Sequence, residues 1–211
     1  VGDAMLRSMN GITTAADYGW LEERYADLME AYCVTLVRGL TAEELLQRLG
    51  AEPAGRYTGV TELADPAYEV GSPYRLFVGA ATVGDWALMV EHNGYLGTVD
   101  EAMLPLSRGR TVVSHFRNVN AVDHFNWYED GTVRLHFEPL FAHHRDGSHP
   151  DALLTEMREA GFDLRDADDC DTDGHTEAAF ALAHRLTGIR LTPELFDTAE
   201  FTCGIAPVPR S

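Results

Sequence analysis

The residues best equipped for chemistry fall in two neighbouring stretches, SHFR at 114–117 and HFNWYEDGTVRLHFE at 124–138. Histidine exchanges protons near neutral pH, and arginine clamps carboxylates or phosphates through its planar fork. In the second stretch, Asp130-Gly131 signals a hairpin. A two-residue turn there would set Trp127 opposite Arg134 and Phe125 opposite His136, mixing polar and apolar on both faces. A three-residue loop, Glu129-Asp130-Gly131, sorts them instead. Trp127 then faces Val133, Phe125 faces Leu135, His124 faces His136 and Asn126 faces Arg134. Register follows the hydrophobic pattern, so the three-residue loop is expected. In the first stretch, Val112 and Phe116 alternate with His115 and Arg117. The expectation is one polar sheet face carrying His115, Arg117, His124, Asn126, Arg134 and His136. Such a face is either solvated or a recognition surface. Three histidines on it could hold zinc, although nothing in the sequence pins the geometry.

Two further segments are rich in metal-type ligands. FAHHRDGSHPD carries His143, His144, Asp146 and His149 but lacks the i, i+4 pairing of a helical zinc motif. DADDCDTDGHTE, residues 166–177, contains Asp169-x-Asp171-x-Asp173-Gly174, the first half of a calcium loop. Its twelfth position is Phe180 where a bidentate Glu is required, so it reads as an acidic approach to a helix. Asp173 or Thr176 is the expected N-cap, and Phe180 should be core. Neither a metal nor another cofactor is expected.

The elements that must position these residues follow from periodicity and capping. DYGWLEERYADLMEAY has helical spacing, and CVTLVRG is a strand. LTAEELLQRLGAE is a helix with a Thr41/Glu44 capping box and a closing Gly50. Residues 51–72 look like loop. YRLFVGAATVGDWALMVEHNGYLG gives two strands about Gly84-Asp85, with Trp86, Leu88 and Val90 on one face. VDEAMLPLSRG is a short helix, TVVSHFRNV a strand, and HPDALLTEMREAGF, TEAAFALAHRLTG and TPELFDTA are helices. EFTCGIAPV returns as a strand. The fold expected is a single α+β domain over 17–211, a mostly antiparallel sheet with helices packed on one face, preceded by a flexible arm at 1–16.

Composition narrows function. The chain has 211 residues, 45% hydrophobic, enough for one core. Asp plus Glu number 34 against 16 Lys plus Arg, a formal charge of −18. That balance disfavours nucleic acid and anionic membranes, and the densest basic stretch holds only Arg108, Arg110 and Arg117. The three cysteines, Cys33, Cys170 and Cys203, form no CxxC and suggest reduced thiols in a cytoplasm. No signal peptide or membrane span is evident. GxSxG, Walker and GxGxxG motifs are missing.

CVTLVRGLTAEELLQRLGA, WALMVEHNGYLG, LSRGRTVVSHFRNVNA and ALAHRLTGIRLTPEL together resemble an actinobacterial family known only as a domain of unknown function. The resemblance runs from about Trp20 to Ile205. It implies a stand-alone cytoplasmic protein and carries over no catalytic residues. The expectation is a small acidic binding or immunity-type protein that recognises a protein or peptide. The alternative is an enzyme or accessory factor in peptide or small-molecule biosynthesis, working through the His/Arg face.

Overall fold

The computed structural model describes residues 12–70, 72–166 and 170–209. In chain order the elements are α1 (Trp20–Arg24), α2 (Ala26–Glu30), β1 (Tyr32–Arg38), α3 (Ala42–Arg48), β2 (Glu52–Thr58), α4 (Ala64–Val70), β3 (Arg75–Val83), β4 (Trp86–His92), α5 (Asp100–Leu106), β5 (Thr111–Arg117), β6 (Asp123–Glu129), β7 (Thr132–Phe137), β8 (Arg145–Asp146), α6 (Leu154–Ala160), α7 (His175–Thr187), α8 (Pro193–Thr198) and β9 (Glu200–Pro207). The strands form one nine-stranded sheet in the order β2-β9-β3-β4-β1-β5-β6-β7-β8. Every pairing is antiparallel. The α+β class is as read from the sequence. The last strand does not add to an edge; it threads between β2 and β3.

Both faces of the sheet are covered, which corrects the one-faced arrangement. All seven residues of β4 are buried, and they alternate between two cores. Trp86, Leu88 and Val90 join Phe125, Trp127, Met157 and Phe180 in the larger core, roofed by α6, α7 and α8. Ala87 and Met89 join Val112, Tyr128, Leu45, Leu46, Met103 and Leu106 in the smaller core, roofed by α3 and α5. A strand buried on both sides reads as a continuous apolar run, as WALMV does. The same double burial weakens any rule that polar residues mark a solvent face.

Local signals explain most elements. Thr41 Oγ1 accepts from the Glu44 amide at 3.2 Å, and Glu44 Oε2 accepts from the Thr41 amide at 2.9 Å, so α3 has its capping box. Residues 51–72 are not all loop: they hold β2 and α4. Pro53 and Gly55 hid β2, yet both are tolerated because it is an edge strand whose register shifts between them. Asp169 and residues 1–11 of the expected arm lie outside the described residues. Ala15 and Ala16 are in a 3-10 turn, Ala15–Tyr18, and Ala15 packs on the larger core. No helix among the described residues is long and apolar enough to cross a membrane.

Candidate functional site

The hairpin departs from the three-residue loop. Glu129 pairs with Thr132 around Asp130 (φ 50°) and Gly131 (φ 74°), a two-residue turn of the left-handed kind. The register then shifts at a bulge beside Arg134, so Trp127 pairs with Leu135, Phe125 with Phe137 and Asn126 with His136. The apolar residues are sorted after all, by a bulge in place of a longer loop. Arg134 turns back over the Trp127 ring at 5.4 Å, with its Nε 3.6 Å from Glu129.

The six predicted residues do not share one face. Across β5 and β6, Ser114 pairs with Asn126, His115 with Phe125, Phe116 with His124 and Arg117 with Asp123. Directly paired residues project to the same side of a sheet. His115 and Arg117 therefore lie beneath α7 in the larger core, while His124, Asn126 and His136 lie on the opposite face. Arg134 belongs to neither group.

Beneath α7, polar groups gather on one buried anion. Asp123 is 0% exposed and His115 is 2% exposed. Arg117 reaches both Asp123 carboxylate oxygens at 3.1 Å and donates to Thr176 Oγ1 at 3.0 Å. Thr176 in turn donates to Asp123 Oδ2 at 3.3 Å. His175 Nε2 is 3.4 Å from Asp123 Oδ2, and its Nδ1 donates to the Thr172 carbonyl at 2.8 Å. Both ring nitrogens of His175 thus face acceptors, which favours the imidazolium; the contact with Asp123 raises its pKa above the ordinary value. Burial pushes the Asp123 carboxyl up, but its contacts with His115 and His175 and the Arg117 charge outweigh that and hold it well below the carboxylate range.

His115 plays a different part. Burial lowers its pKa, so it stays neutral and the cations facing Asp123 are Arg117 and His175. Tyr32 Oη lies 3.1 Å from His115 Nδ1, and His115 Nε2 lies 3.8 Å from Asp123, an ion-pair distance too long for a hydrogen bond. Tyr32, His115 and Asp123 line up as in an acid–base relay. The relay is sealed under Phe180, whose ring centroid is 5.2 Å from that of His115. As folded, it ties α7 to the sheet and offers no surface to a substrate.

The opposite face carries a row that does reach the surface. His136 Nδ1 donates to Asn126 Oδ1 at 2.7 Å, Asn126 Nδ2 to Ser114 Oγ at 3.3 Å, and Ser114 Oγ to the Gly97 carbonyl at 2.7 Å. Each donor points the same way, from the half-buried His136 inward. The His124 ring lies 5.3 Å from that of His136 and stacks on Phe116. Burial first, and then His136, lower the His124 pKa.

At the inner end sits a second buried carboxyl, Glu91. Its oxygens accept from the Leu96 and Gly97 amides at 3.0 and 3.2 Å. Desolvation still outweighs those bonds and pushes its pKa up to about 7. Its cross-strand neighbour is Cys33, whose thiol pKa is raised by burial and then by Glu91.

Sequence reasoning missed Asp123, His175, Thr176, Tyr32, Glu91 and Cys33 as members of these clusters. For two of them a signal existed. Asp123 shares the parity of Phe125 and Trp127, and Glu91 interrupts the apolar run WALMV. A lone carboxylate in a buried pattern must be paired or neutralised. The N-cap of α7 is Gly174 in a left-handed conformation, not Asp173 or Thr176, which leaves Thr176 free to bind Asp123. Phe180 is core, as expected.

A doubly covered antiparallel sheet with internal carboxylate ties defines a small α+β protein with its strongest polar chemistry folded inside. The chain belongs to the family of unknown function DUF6461, which it matches over residues 11–210. No curated protein and no solved structure matches it.

Proposed function

We propose that this protein is an acidic, non-enzymatic binding module that recognises a basic protein or peptide, in the manner of an immunity-type protein. One observation carries the reading. The residues that looked like a basic recognition face are divided, and one of its two arginines, Arg117, is spent on the buried Asp123. With 34 acids against 16 arginines, the remaining surface is dominated by carboxylates. A field of that sign steers cationic partners toward it and repels nucleic acid and anionic membranes. A cytoplasmic setting suits its cysteines, two of which are buried free thiols.

The test is fluorescence anisotropy with labelled arginine-rich peptides against composition-matched acidic ones. Basic peptides should bind, and binding should weaken steeply between about 0.05 and about 0.5 M salt. Equal binding of both peptide classes, or binding insensitive to salt, would sink the proposal.

A second reading rests on His124, Asn126 and His136, which do stay together. It makes the chain an enzyme or accessory factor in peptide or small-molecule biosynthesis, with the half-buried His136 exchanging protons. A His124→Gln/His136→Gln variant that folds normally yet leaves peptide binding intact supports the first reading. Loss of a turnover activity in that variant supports the second.

A further inference from the structure

We propose that His143, His144 and Asp166 form a binding site for a divalent transition-metal ion of the zinc class. The two histidines follow the 3-10 turn Pro139–Phe141, and Asp166 lies beyond α6, at the start of the acidic stretch. One ligand atom from each lies within 4.8 Å of the others. Atoms sharing a tetrahedral zinc are about 3.4 Å apart, given metal–ligand bonds of about 2.1 Å. His143 Nε2 and Asp166 Oδ1 are already 3.5 Å apart. The remaining closure falls to His144 and Asp166, both exposed side chains.

The imidazole side is partly preorganised. The His143 side chain is only 13% exposed, and its ring meets Phe141 edge-on. The His144 amide donates to the Phe141 carbonyl at 2.8 Å. Arg145, the next residue, anchors the loop by donating to the Ala142 carbonyl and the Asp151 carboxylate. An ion pair between His143 and Asp166 gives no role to His144, whose ring centroid is 4.2 Å from that of His143.

Two nitrogens and one carboxylate oxygen suit zinc, cobalt or nickel, whereas calcium asks for six to eight oxygens. With three protein ligands, water completes the coordination. The surplus of negative charge raises the local cation concentration. The ion would clasp the turn after β7 to the acidic stretch, whose far end carries His175 and its grip on Asp123. This inference is independent of the peptide-binding proposal.

The experiment uses the full chain stripped with chelator and titrated with cobalt, then zinc. One equivalent of cobalt should bind and develop the visible absorption of a tetrahedral site, zinc should displace it, and millimolar calcium should not. His144→Ala and Asp166→Asn alter exposed side chains and should fold normally, yet each should weaken binding at least about tenfold. His149→Ala, outside the cluster, should bind like the parent. The proposal is overturned if zinc fails to bind at about 0.1 mM, if binding survives both substitutions, or if calcium competes on equal terms.

Discussion

Asp123 is an anion with no exposure, so its neighbours decide whether it is tolerated. Arg117 and His175 supply the compensating charge from two different elements. Asp123→Asn keeps the volume and removes the charge, leaving both cations half-buried and unpaired. The expected loss is about 3 kcal/mol in urea unfolding, and a loss below half of that would show water already satisfying the cations. The sign with pH follows from the two shifts. Asp123 titrates lower in the fold than in the unfolded chain, so its stabilisation is present above the unfolded carboxylate range and disappears as acid protonates it. His175 titrates higher in the fold, so its share is complete below the unfolded histidine value and disappears as pH rises through its raised pKa. Glu91 acts in the opposite sense to Asp123. Its pKa rises from 4.5 to about 7, so the fold holds a proton that the unfolded chain has released, and stability falls as pH rises through that window. The fall attributable to Glu91 is about 3 kcal/mol. Glu91→Gln should flatten that part of the profile between pH of about 4.5 and about 7. An unchanged slope in the variant would show that Glu91 is ionised throughout.

At the scale of elements, the turn after β4 shows how little room the buried carboxyl has. A Cβ on Gly97 would sit 2.2 Å from Thr35 Oγ1 and 2.6 Å from Cys33 Sγ. The short helical turn Leu96–Thr98 lies flat on β1 and β5 only because position 97 has no side chain. Gly97→Ala is expected to cost about 2 kcal/mol through overpacking and to disturb the Glu91 bonds. A neutral melting temperature would place slack in that contact. A Cβ on Gly94 would sit 2.5 Å from Glu91 Oε2, so HNGYLG is a packing motif for the carboxyl more than a turn signal. Several elements could be read from the chain because their signals are local: the Thr41/Glu44 cap, the Gly84-Asp85 turn and the alternation of Trp86, Leu88 and Val90. The shared site face could not. The alternation within β5 and within β6 was read correctly, but in β7 the bulge sends Val133 to the smaller core beside Tyr128, away from Leu135 and Phe137, and which face of β5 continues onto β6 depends on cross-strand register. With both faces buried, polarity gives no contrast by which to choose, and Asp123 rather than a hydrophobe pairs with Arg117. The bulge beside Arg134 corrects the register two residues beyond the turn, where turn chemistry says nothing.

The whole molecule carries more negative charge than its contacts neutralise. Ion pairs such as Arg24–Asp197, Arg38–Asp85 and Arg75–Glu52 lie at the surface, where each contributes little. Self-repulsion among 34 carboxylates opposes compaction. These two effects respond oppositely to salt: screening weakens the attractive pairs and relieves the repulsion. At a formal charge of −18, relief should prevail. The melting temperature should therefore rise as sodium chloride goes from about 0.02 to about 0.3 M, over which the Debye length shrinks from about 20 to about 6 Å. Calcium and magnesium at equal ionic strength should raise it equally. In the acidic stretch the calcium-type pattern lacks its twelfth-position carboxylate, Phe180 being buried in the core. Asp171 is engaged instead within the protein, its amide donating to the Asp163 carboxylate and its own carboxylate accepting from the Asp173 amide. A melting temperature that falls with salt would mean that surface ion pairs outweigh repulsion. A rise specific to calcium would mean that the acidic stretch completes its coordination shell with ligands from elsewhere in the fold.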